Sequence, residues 1–390
     1  GTNAVDVSYA TLDPTYHPMT HEPAHSTQYA AAVKKAVSIP VMTVGRLYAR
    51  LAERILQEGK ADLICIGRGL IAGPDFAVKN AQGKGDDVMP CIACDNCRDH
   101  VVYRQEWMRC AVNPVAGRER ELAFRPAAAS KQVVVIGGGP AGMEAARIAA
   151  QRGHRVTLFE KDTQLGGQLL QAAAPPNKVG IPVLTKFLVN QLKKLEVKVE
   201  LGKAVTAQDI LASKPQAVIV ATGVKLTMPQ IQGLDRAKVV MAGDVLLGKA
   251  QVGQRVVVIG GELVGCETAD VLSEQGKKVT VTRRGPRMAE KMQPHLRSLL
   301  LHRLAAKGVT LLTGVKYEEV TPQGLKITHE GKTSLVEADT IVIAAGAHPD
   351  TSLYQALQGK VPELHLVGDA MAPRKIESAM EEGYRAGLTV

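Results

Sequence analysis

Apolar residues in this chain fall into short continuous runs, separated by longer segments in which they recur every three or four positions. Short apolar runs bounded by glycine are typical of buried parallel strands, and the longer amphipathic segments are typical of helices. In the first 90 residues the pattern predicts strands at 4–7, 39–44 and 62–66, with helices at 26–37 and 49–58. Later strands are predicted at residues 133–136, 155–159, 218–220, 255–259 and 278–281. The alternation predicts an α/β protein with parallel sheets.

A first dinucleotide-binding unit is predicted where glycines follow a fully apolar strand. Gly137, Gly139 and Gly142 open a helix that runs through residue 150, and Glu160 ends the next strand, 18 positions after Gly142. Glycines at these places permit a tight turn and a close approach of pyrophosphate, which the helix N-terminus stabilises. The acid accepts hydrogen bonds from ribose hydroxyls. The spacing therefore predicts a strand–turn–helix site for a dinucleotide.

A second unit of the same kind is predicted at Gly260 and Gly265, with two departures from the pattern. Glu262 replaces the glycine that admits the pyrophosphate, which adds bulk and like charge. Arg283 stands where NAD-selective proteins carry an acid, and with Arg284 it suits a 2′-phosphate. Charge-assisted contacts of order 1.5–3 kcal/mol predict that NADPH binds at least about tenfold better than NADH. Glu262 is expected to weaken the binding of both cofactors equally. The alternative is a degenerate site that is kept for structure and binds no nucleotide.

Cysteines provide the candidate metal site. Four of the six lie in one segment, with two, two and twelve residues between successive members: Cys91, Cys94, Cys97 and Cys110. Soft thiolate ligands select zinc or iron–sulfur clusters, and three cysteines in one tight run with a fourth apart favour a cluster. A zinc knuckle and a disulfide framework are the alternatives. Cys65 and Cys266 are predicted to pack in the interior.

Composition narrows the classes of partner. The 390 residues suffice for two or three domains, and 45% of them are hydrophobic. Only 3% are aromatic, which argues against a stacking platform for single-stranded nucleic acid. The net charge of +10 fits either a solvated basic surface or attraction of phosphorylated cofactors and acyl-CoA-like substrates.

Targeting signals are not visible in the sequence. No apolar run reaches membrane-spanning length, so we expect a cytoplasmic protein that binds neither membrane nor nucleic acid. The chain begins at Gly1 rather than Met, within a predicted strand, which suggests a fragment of a longer protein.

Two strands near the N-terminus each run into a Gly-Arg pair, Gly45-Arg46 and Gly67-Arg68. In (β/α)8 barrels the loops after strands 7 and 8 commonly form a phosphate site. Glycine lets the backbone approach a phosphate and arginine pairs with it bidentately. Ordinary loops with surface arginines are the alternative.

Five segments together resemble the old yellow enzyme-related iron–sulfur flavoenzymes: residues 39–47, 61–75, 90–97, 110–114 and 117–119. This family includes 2-enoate reductases, 2,4-dienoyl-CoA reductase and trimethylamine dehydrogenase. The resemblance implies FMN at the barrel's C-terminal face, with its phosphate at Gly45, Arg46, Gly67 and Arg68. It also implies a 4Fe-4S cluster on the four grouped cysteines, just after the barrel.

The resemblance further implies FAD in the first dinucleotide unit and an NAD(P)H domain inserted into it. Gly167-Gln168 resembles the family's flavin-facing loop, Thr222-Gly223 lies in a turn typical of these flavoproteins, and Gly368-Asp369 resembles their second flavin motif. These pieces are far apart in sequence, so they can converge only if the flavin domain is interrupted.

The sequence also departs from the family, because it contains only about the last three of eight barrel strands. Three open strands cannot enclose a flavin ring, so upstream residues are missing or another chain supplies them. Catalytic candidates in the remaining part are Tyr16 and His17, beside Tyr9 and His21, after the first strand. A Tyr or His there could donate a proton to a reduced alkene. Polar loop residues without a catalytic role are the alternative.

The predicted architecture is therefore a partial (β/α)8 barrel, a cysteine segment, and an FAD domain of the Rossmann type with an inserted Rossmann NAD(P) domain. The predicted bounds are 1–90, 91–127, 128–227 with 335–390, and 228–334. The predicted activity passes electrons from NAD(P)H through FAD, the cluster and FMN to an activated C=C bond of a small unsaturated acid or acyl-CoA. Alternatives are an amine dehydrogenase running electrons outward, with ADP in place of FAD, and a non-catalytic electron-transfer subunit that docks on a partner. The expected assembly is a homo-oligomer or a complex with a partner chain that completes the barrel.

Overall fold

The computed structural model of the chain describes residues 2–8, 22–236 and 238–390. Its first segment contains three short parallel strands in the order β1-β2-β3, with Val5 opposite Val41 and Met42 opposite Leu63. The strands are β1 (Val5–Val7), β2 (Val41–Thr43) and β3 (Leu63–Ile64). The helices are α1 (Thr27–Ala36), α2 (Ala49–Gln57), α3 (Arg68–Ala72) and α4 (Phe76–Ala81). The predicted order of elements is confirmed, although each strand is shorter than its apolar run.

The cysteine segment is mostly irregular. One helical turn, α5 (Asn96–Arg98), continues into a π-helical turn at Asp99–Tyr103. Ala93 and Asp95 both have positive φ, at 55° and 60°, so the backbone turns sharply between the cysteines. Such turns let cysteines that are close in sequence present their sulfurs to one place.

The first dinucleotide unit is a five-stranded parallel sheet in the order β18-β7-β4-β5-β6. Its strands are β4 (Gln132–Ile136), β5 (Arg155–Phe159), β6 (Lys198–Glu200), β7 (Ala217–Val220) and β18 (Leu364–Leu366). Its helices are α6 (Pro140–Gln151), α8 (Gly180–Lys194), α9 (Ala207–Ala212), α13 (Ser352–Leu357) and α14 (Ile376–Thr389), while α7 (Gln168–Ala172) begins in this unit and ends in the second. The central strands are buried on both faces, which their uninterrupted Val and Ile runs require.

The second unit has a five-stranded parallel sheet in the order β12-β11-β10-β16-β9 and a three-stranded antiparallel sheet, β13-β14-β15. Its strands are β8 (Val224–Leu226), β9 (Val239–Met241), β10 (Arg255–Ile259), β11 (Lys278–Arg283), β12 (Thr310–Thr313), β13 (Lys316–Thr321), β14 (Gly324–His329), β15 (Lys332–Glu337), β16 (Thr340–Ile343) and β17 (Ala347–Pro349). Its helices are α10 (Ala242–Leu246), α11 (Leu263–Glu274) and α12 (Pro294–Ala306). Single 3-10 turns occur at Gly85–Asp87, Leu234–Arg236 and Gly368–Ala370.

Backbone contacts divide the chain into two compact units, residues 1–169 with 179–223 and 349–390, and residues 170–178 with 224–348. The barrel strands, the cysteine segment and the first dinucleotide fold share one unit. The sequence predicts that the chain returns to the first fold at residue 335. In the structure β16, which follows that residue, still belongs to the sheet of the second fold, where Thr340 lies opposite Val256 of β10. The apolar residues of a strand do not indicate which strand it pairs with, so the sequence could not assign β16 to a sheet.

Helices α6 and α14 pack closely because glycines remove side chains between them. A Cβ on Gly383 would lie 2.3 Å from the Ala141 carbonyl oxygen, and one on Gly387 would lie 2.7 Å from the Ile148 Cβ. Gly368, which precedes α14, has φ +66°, and a Cβ there would lie 2.8 Å from the Ala141 Cβ. This packing brings the turn at residues 368–369 to the N-terminus of α6.

Candidate cofactor sites

The glycine loop after β4 has room for a phosphate at one position only. A Cβ on Gly137, where φ is +110°, would lie 2.2 Å from the Ala221 carbonyl oxygen, and one on Gly142 would lie 1.9 Å from the Gly137 oxygen. Those two glycines are required by the protein itself. A Cβ on Gly139 would meet no protein atom within 4 Å. The second glycine of the motif therefore faces open space, where a pyrophosphate could approach the backbone.

Glu160 supports this loop from the end of β5. One carboxylate oxygen, Oε2, accepts the Gly138 N–H at 2.6 Å, and the other, Oε1, accepts the Asp162 N–H at 2.8 Å. The side chain is buried. Each oxygen keeps a second lone pair, so Glu160 can hold the loop and still accept a ribose hydroxyl.

The segments that resemble flavin motifs lie together. The Gly166 N–H donates to the Gly138 oxygen at 2.9 Å, and a Cβ on Gly167 would lie 2.9 Å from Gly139 Cα. Gln168 Nε2 donates to Asp369 Oδ2 at 2.7 Å, although the two residues are 201 positions apart. The predicted convergence of these pieces on one fold is seen in the structure, and their contact with a flavin stays a prediction.

Thr222 and Gly223 lie where the chain leaves and re-enters the first unit. Thr222 Oγ1 donates to the Asp350 carbonyl oxygen at 2.8 Å, and the Asp350 N–H donates to the Gly223 oxygen at 3.0 Å. Gly223 has φ +74°, a conformation that favours glycine. These contacts join the segment that leaves the first unit to the segment that returns to it, beside the glycine loop.

Replacing Asp369 by alanine is expected to weaken FAD binding about tenfold or more, because it removes a charged hydrogen-bond acceptor from the site. The measurement is the dissociation constant of FAD for the deflavinated protein. Asp86→Ala, which removes an exposed carboxylate elsewhere in the same unit, is the control and should leave the constant unchanged. Equal affinities of the Asp369→Ala variant and the unmodified protein would contradict the assigned role.

The first and third glycines of the loop in the second unit are as tightly enclosed as those of the first unit. A Cβ on Gly260, where φ is +119°, would lie 2.5 Å from the Ala344 carbonyl oxygen, and one on Gly265 would lie 1.8 Å from the Gly260 oxygen. Glu262 occupies the N-cap position of α11, and its side chain makes no capping hydrogen bond there. The second predicted strand–turn–helix motif is therefore formed.

The two departures in this motif are partners of each other. Arg283 Nη1 donates to Glu262 Oε1 at 2.5 Å, and Arg283 Nη2 donates to Glu290 Oε2 at 2.8 Å. The effects that the sequence predicts separately for Glu262 and Arg283 are therefore coupled, since groups in contact do not contribute additively. Their separation of 21 residues gave no sign of this pairing. Arg284 is exposed instead, with its guanidinium carbon 5.9 Å from the centre of the Tyr317 ring.

The four grouped cysteines share one environment in the cysteine segment. Burial, with a smaller contribution from neighbouring Cys110, Cys91 and Cys97, raises the pKa of the Cys94 thiol to about 12. Burial likewise raises the pKa of Cys110 to about 11. Backbone N–H groups nevertheless donate to these sulfurs, from Asn96 to Cys94 and from Val112 and Asn113 to Cys110. The sulfurs would repel one another as thiolates, and a bound cation would favour their deprotonated form.

The four grouped cysteines offer the soft sulfur ligands that a four-iron cluster or a zinc ion takes. In the described part of the chain, no group of three or more His, Cys, Asp or Glu side chains is arranged to share one metal ion. A zinc ion takes all four sulfurs at about 2.3 Å, and a four-iron cluster takes one cysteine on each iron. Asn96 Nδ2 is buried beside Cys97 without an acceptor among the described residues. All six cysteines carry free thiols, and the cluster itself stays a prediction.

The Gly-Arg pairs lie at the ends of β2 and β3. Gly45 has φ +127° and Arg46 has φ +49°, and Gly67 caps the N-terminus of the short helix α3. Arg68 Nη1 lies 3.2 Å from Oδ1 of the buried Asp95, which stands between Cys94 and Cys97. Arg68 thus ties the end of β3 to the cysteine segment, and a role in holding the FMN phosphate stays a prediction. Tyr16 and His17, with Tyr9 and His21, lie outside the described residues.

Cys65 and Cys266 differ in burial. Cys266 is fully buried in α11, as predicted. Cys65 is only half-buried, with its Sγ 3.9 Å from Met42 Sδ, so its placement in the core was wrong.

Known proteins match this chain along its whole length. Residues 131–372 match the pyridine nucleotide-disulphide oxidoreductase family, which is more than half of the chain. The chain belongs to this family. Residues 4–87 match the NADH:flavin oxidoreductase / NADH oxidase family. The two matches together confirm the resemblance to the old yellow enzyme-related flavoenzymes.

Two curated relatives are a metal reductase of Desulforamulus reducens, 36% identical over 100% of this chain and 64% of the relative, and a cinnamate reductase of Clostridium sporogenes, 33% identical over 96% and 57%. A solved 2-naphthoyl-CoA reductase in complex with 2-naphthoyl-CoA is 33% identical, with a TM-score of 0.92 over 97% of this chain and 58% of that one. The chain thus spans about 60% of the length of these relatives. No helix in the part of the oxidoreductase that the structure describes is long and apolar enough to cross a membrane.

A buried histidine that the sequence did not reveal links the cysteine segment to α14. His100 is 3% exposed, with Nδ1 2.8 Å from Glu106 Oε2 and Nε2 3.0 Å from Glu377 Oε1. His100 and Glu377 are 277 residues apart, and neither belongs to a recognisable motif. The contact fixes the cysteine segment against the helix that follows the Gly368-Asp369 turn.

Proposed function

We propose that this oxidoreductase uses NADH or NADPH to reduce an activated C=C bond of an unsaturated acid or acyl-CoA thioester. Electrons would pass from the nicotinamide through FAD, the 4Fe-4S cluster and FMN to the alkene. The observation that carries the proposal is the sharing of one compact unit by the barrel strands, the cysteine segment and the first dinucleotide fold. The relatives named as cinnamate reductase and 2-naphthoyl-CoA reductase support the choice of substrate.

In this proposal the first fold holds FAD. The open space at Gly139 and the N-terminus of α6 receive the pyrophosphate, and Glu160 accepts from the adenosine ribose. Gln168 and Asp369, which bond each other, lie beside that loop on the flavin side. The second fold receives the pyridine nucleotide at Gly260 and Gly265.

The four cysteines would hold the cluster, which supplies one-electron transfer between two flavins. The backbone N–H groups that already donate to Cys94 and Cys110 would stabilise the negative charge on the ligating sulfurs. The ion pair of Arg68 with Asp95 would keep the barrel end and this segment in register.

At the barrel end, Gly45, Arg46, Gly67 and Arg68 would receive the FMN phosphate. Tyr16 or His17 would donate the proton that completes saturation of the alkene. Because the family relatives are longer, strands that enclose the FMN ring would come from further residues or from a partner chain. The net charge of +10 would favour an anionic acid or CoA thioester.

The test is anaerobic oxidation of NADH and NADPH by the polypeptide that carries this chain, with cinnamate and with 2-naphthoyl-CoA as acceptors. We expect about one saturated product per nucleotide oxidised, identified by mass spectrometry, since one hydride and one proton saturate one C=C bond. A protein that instead reduces an added acceptor with trimethylamine as donor, and leaves both unsaturated compounds unchanged, would contradict the proposal.

A further inference from the structure

The two dinucleotide folds of this chain place a carboxylate differently. In the first fold Gly139 is the second glycine of the loop, and Glu160 ends the next strand 18 positions after Gly142. In the second fold Glu262 occupies the place of Gly139, and Arg283 stands 18 positions after Gly265. The acid has moved from the strand end to the loop, and an arginine has taken its former place.

The contacts show that the carboxylate lies in a similar place in the two folds. Glu160 reaches back from its strand to the loop N–H of Gly138. Glu262 reaches forward from the loop to the strand-end Arg283, whose Nη1 lies 2.5 Å from its Oε1. In both folds a carboxylate thus lies between the glycine loop and the end of the second strand, where a strand-end acid meets the adenosine ribose of a dinucleotide.

Arg283 has little capacity left for a phosphate. Its two terminal nitrogens face the carboxylates of Glu262 and Glu290, and its side chain is only 15% exposed. A 2′-phosphate would have to displace one of these carboxylates and leave it unpaired beside the new dianion.

Glu262, by contrast, can still accept hydrogen bonds. Its side chain is 36% exposed, and its second oxygen, Oε2, receives a long contact of 3.3 Å from the Lys291 N–H. The surrounding loop is held in place, because the Ala289 N–H donates to the Gly261 oxygen at 2.6 Å and Met288 is buried against Gly261. The carboxylate is therefore oriented, neutralised by its partner and accessible.

We propose that Glu262 accepts hydrogen bonds from the adenosine ribose hydroxyls of the pyridine nucleotide, with Arg283 as its positioning residue, so that the site selects NADH over NADPH. This inference rests on the proposed function, which places the pyridine nucleotide in the second fold. It reverses the preference that the sequence predicts from Arg283 and Arg284. It also gives Glu262 a binding role in place of a repulsive one.

The experiment uses the FAD-containing protein and two probes that carry no hydride, ADP-ribose and 2′-phospho-ADP-ribose, with binding measured by calorimetry. The unmodified protein should bind ADP-ribose about tenfold or more tightly than its 2′-phosphate, as expected for hydrogen bonds to a charged group. In the Glu262→Gly variant, the affinity for ADP-ribose should fall about tenfold. The protein should then bind 2′-phospho-ADP-ribose more tightly than ADP-ribose, because Arg283 is released. The Arg283→Gln variant should bind ADP-ribose more weakly and should not bind 2′-phospho-ADP-ribose more tightly.

The matched control is Glu330→Gly, the same chemical change at an exposed turn of the antiparallel sheet where φ is +50°. It should leave both affinities unchanged, and FAD content and melting temperature confirm folding of every variant. The inference is overturned if the unmodified protein prefers the 2′-phosphate, or if Glu262→Gly tightens both probes equally, as simple repulsion predicts. If neither probe binds any variant that retains FAD, the second fold is not a pyridine-nucleotide site, and that part of the proposed function fails with the inference.

Discussion

Protein in which Cys94 is replaced by alanine is expected to lose nearly all of its iron, falling from about four irons per chain to less than one. Cys94 is the most deeply buried of the four ligand candidates, and burial raises the pKa of its thiol to about 12. A cluster that lacks this ligand would have one iron without a protein sulfur inside the protein. The measurement is iron and acid-labile sulfide per chain after anaerobic purification, together with the broad absorbance near 400 nm.

The two remaining cysteines supply matched controls. Cys266→Ala and Cys65→Ala remove one sulfur each, from the core of the second unit and from the residue that follows β3. Both variants should keep about four irons per chain. If Cys94→Ala keeps its iron, or if the unmodified protein carries one zinc and no iron, the cluster assignment is wrong.

The second large effect is expected for Gly139→Ala, which should weaken FAD binding about tenfold or more and leave the fold intact. A Cβ at this position meets no protein atom within 4 Å, and the backbone is extended, at φ −75° and ψ −177°, so alanine fits without strain. Its methyl group would occupy only the space that the pyrophosphate needs. The measurements are flavin content and the melting temperature of the deflavinated protein.

Gly142→Ala is the matched comparison for that variant. Its Cβ would lie 1.9 Å from the Gly137 carbonyl oxygen, so the loop itself must shift. We expect loss of stability in the deflavinated protein as well as loss of FAD. A Gly139→Ala protein that retains FAD fully would show that the cofactor does not approach this loop.

Local patterns explain what the sequence could predict. A strand that runs into Gly137 or Gly260 and then a helix is a contiguous signal, and both folds were predicted from it. Convergence of Gln168 with Asp369 was predicted because each belongs to a segment with a recognisable motif.

Long-range partners were not predictable in the same way. β16 is as apolar as a strand of the first fold, and only the sheet shows that it lies beside β10. The direction of a side chain such as Glu262 or Arg283 depends on its tertiary neighbours, so two apparent defects of one motif proved to be an ion pair. His100 belongs to no motif, and its partner Glu377 comes from the last helix.

The most direct test of the central claim, that the chain carries FAD and a cluster as successive electron carriers, is an anaerobic reductive titration of the purified protein. The flavin released by acid is identified in parallel. With FAD as the only flavin, we expect about three electron equivalents per chain, two for the flavin and one for the cluster, with the flavin also bleached by NADH. An uptake of about two equivalents, the value for a flavin alone, would contradict the claim.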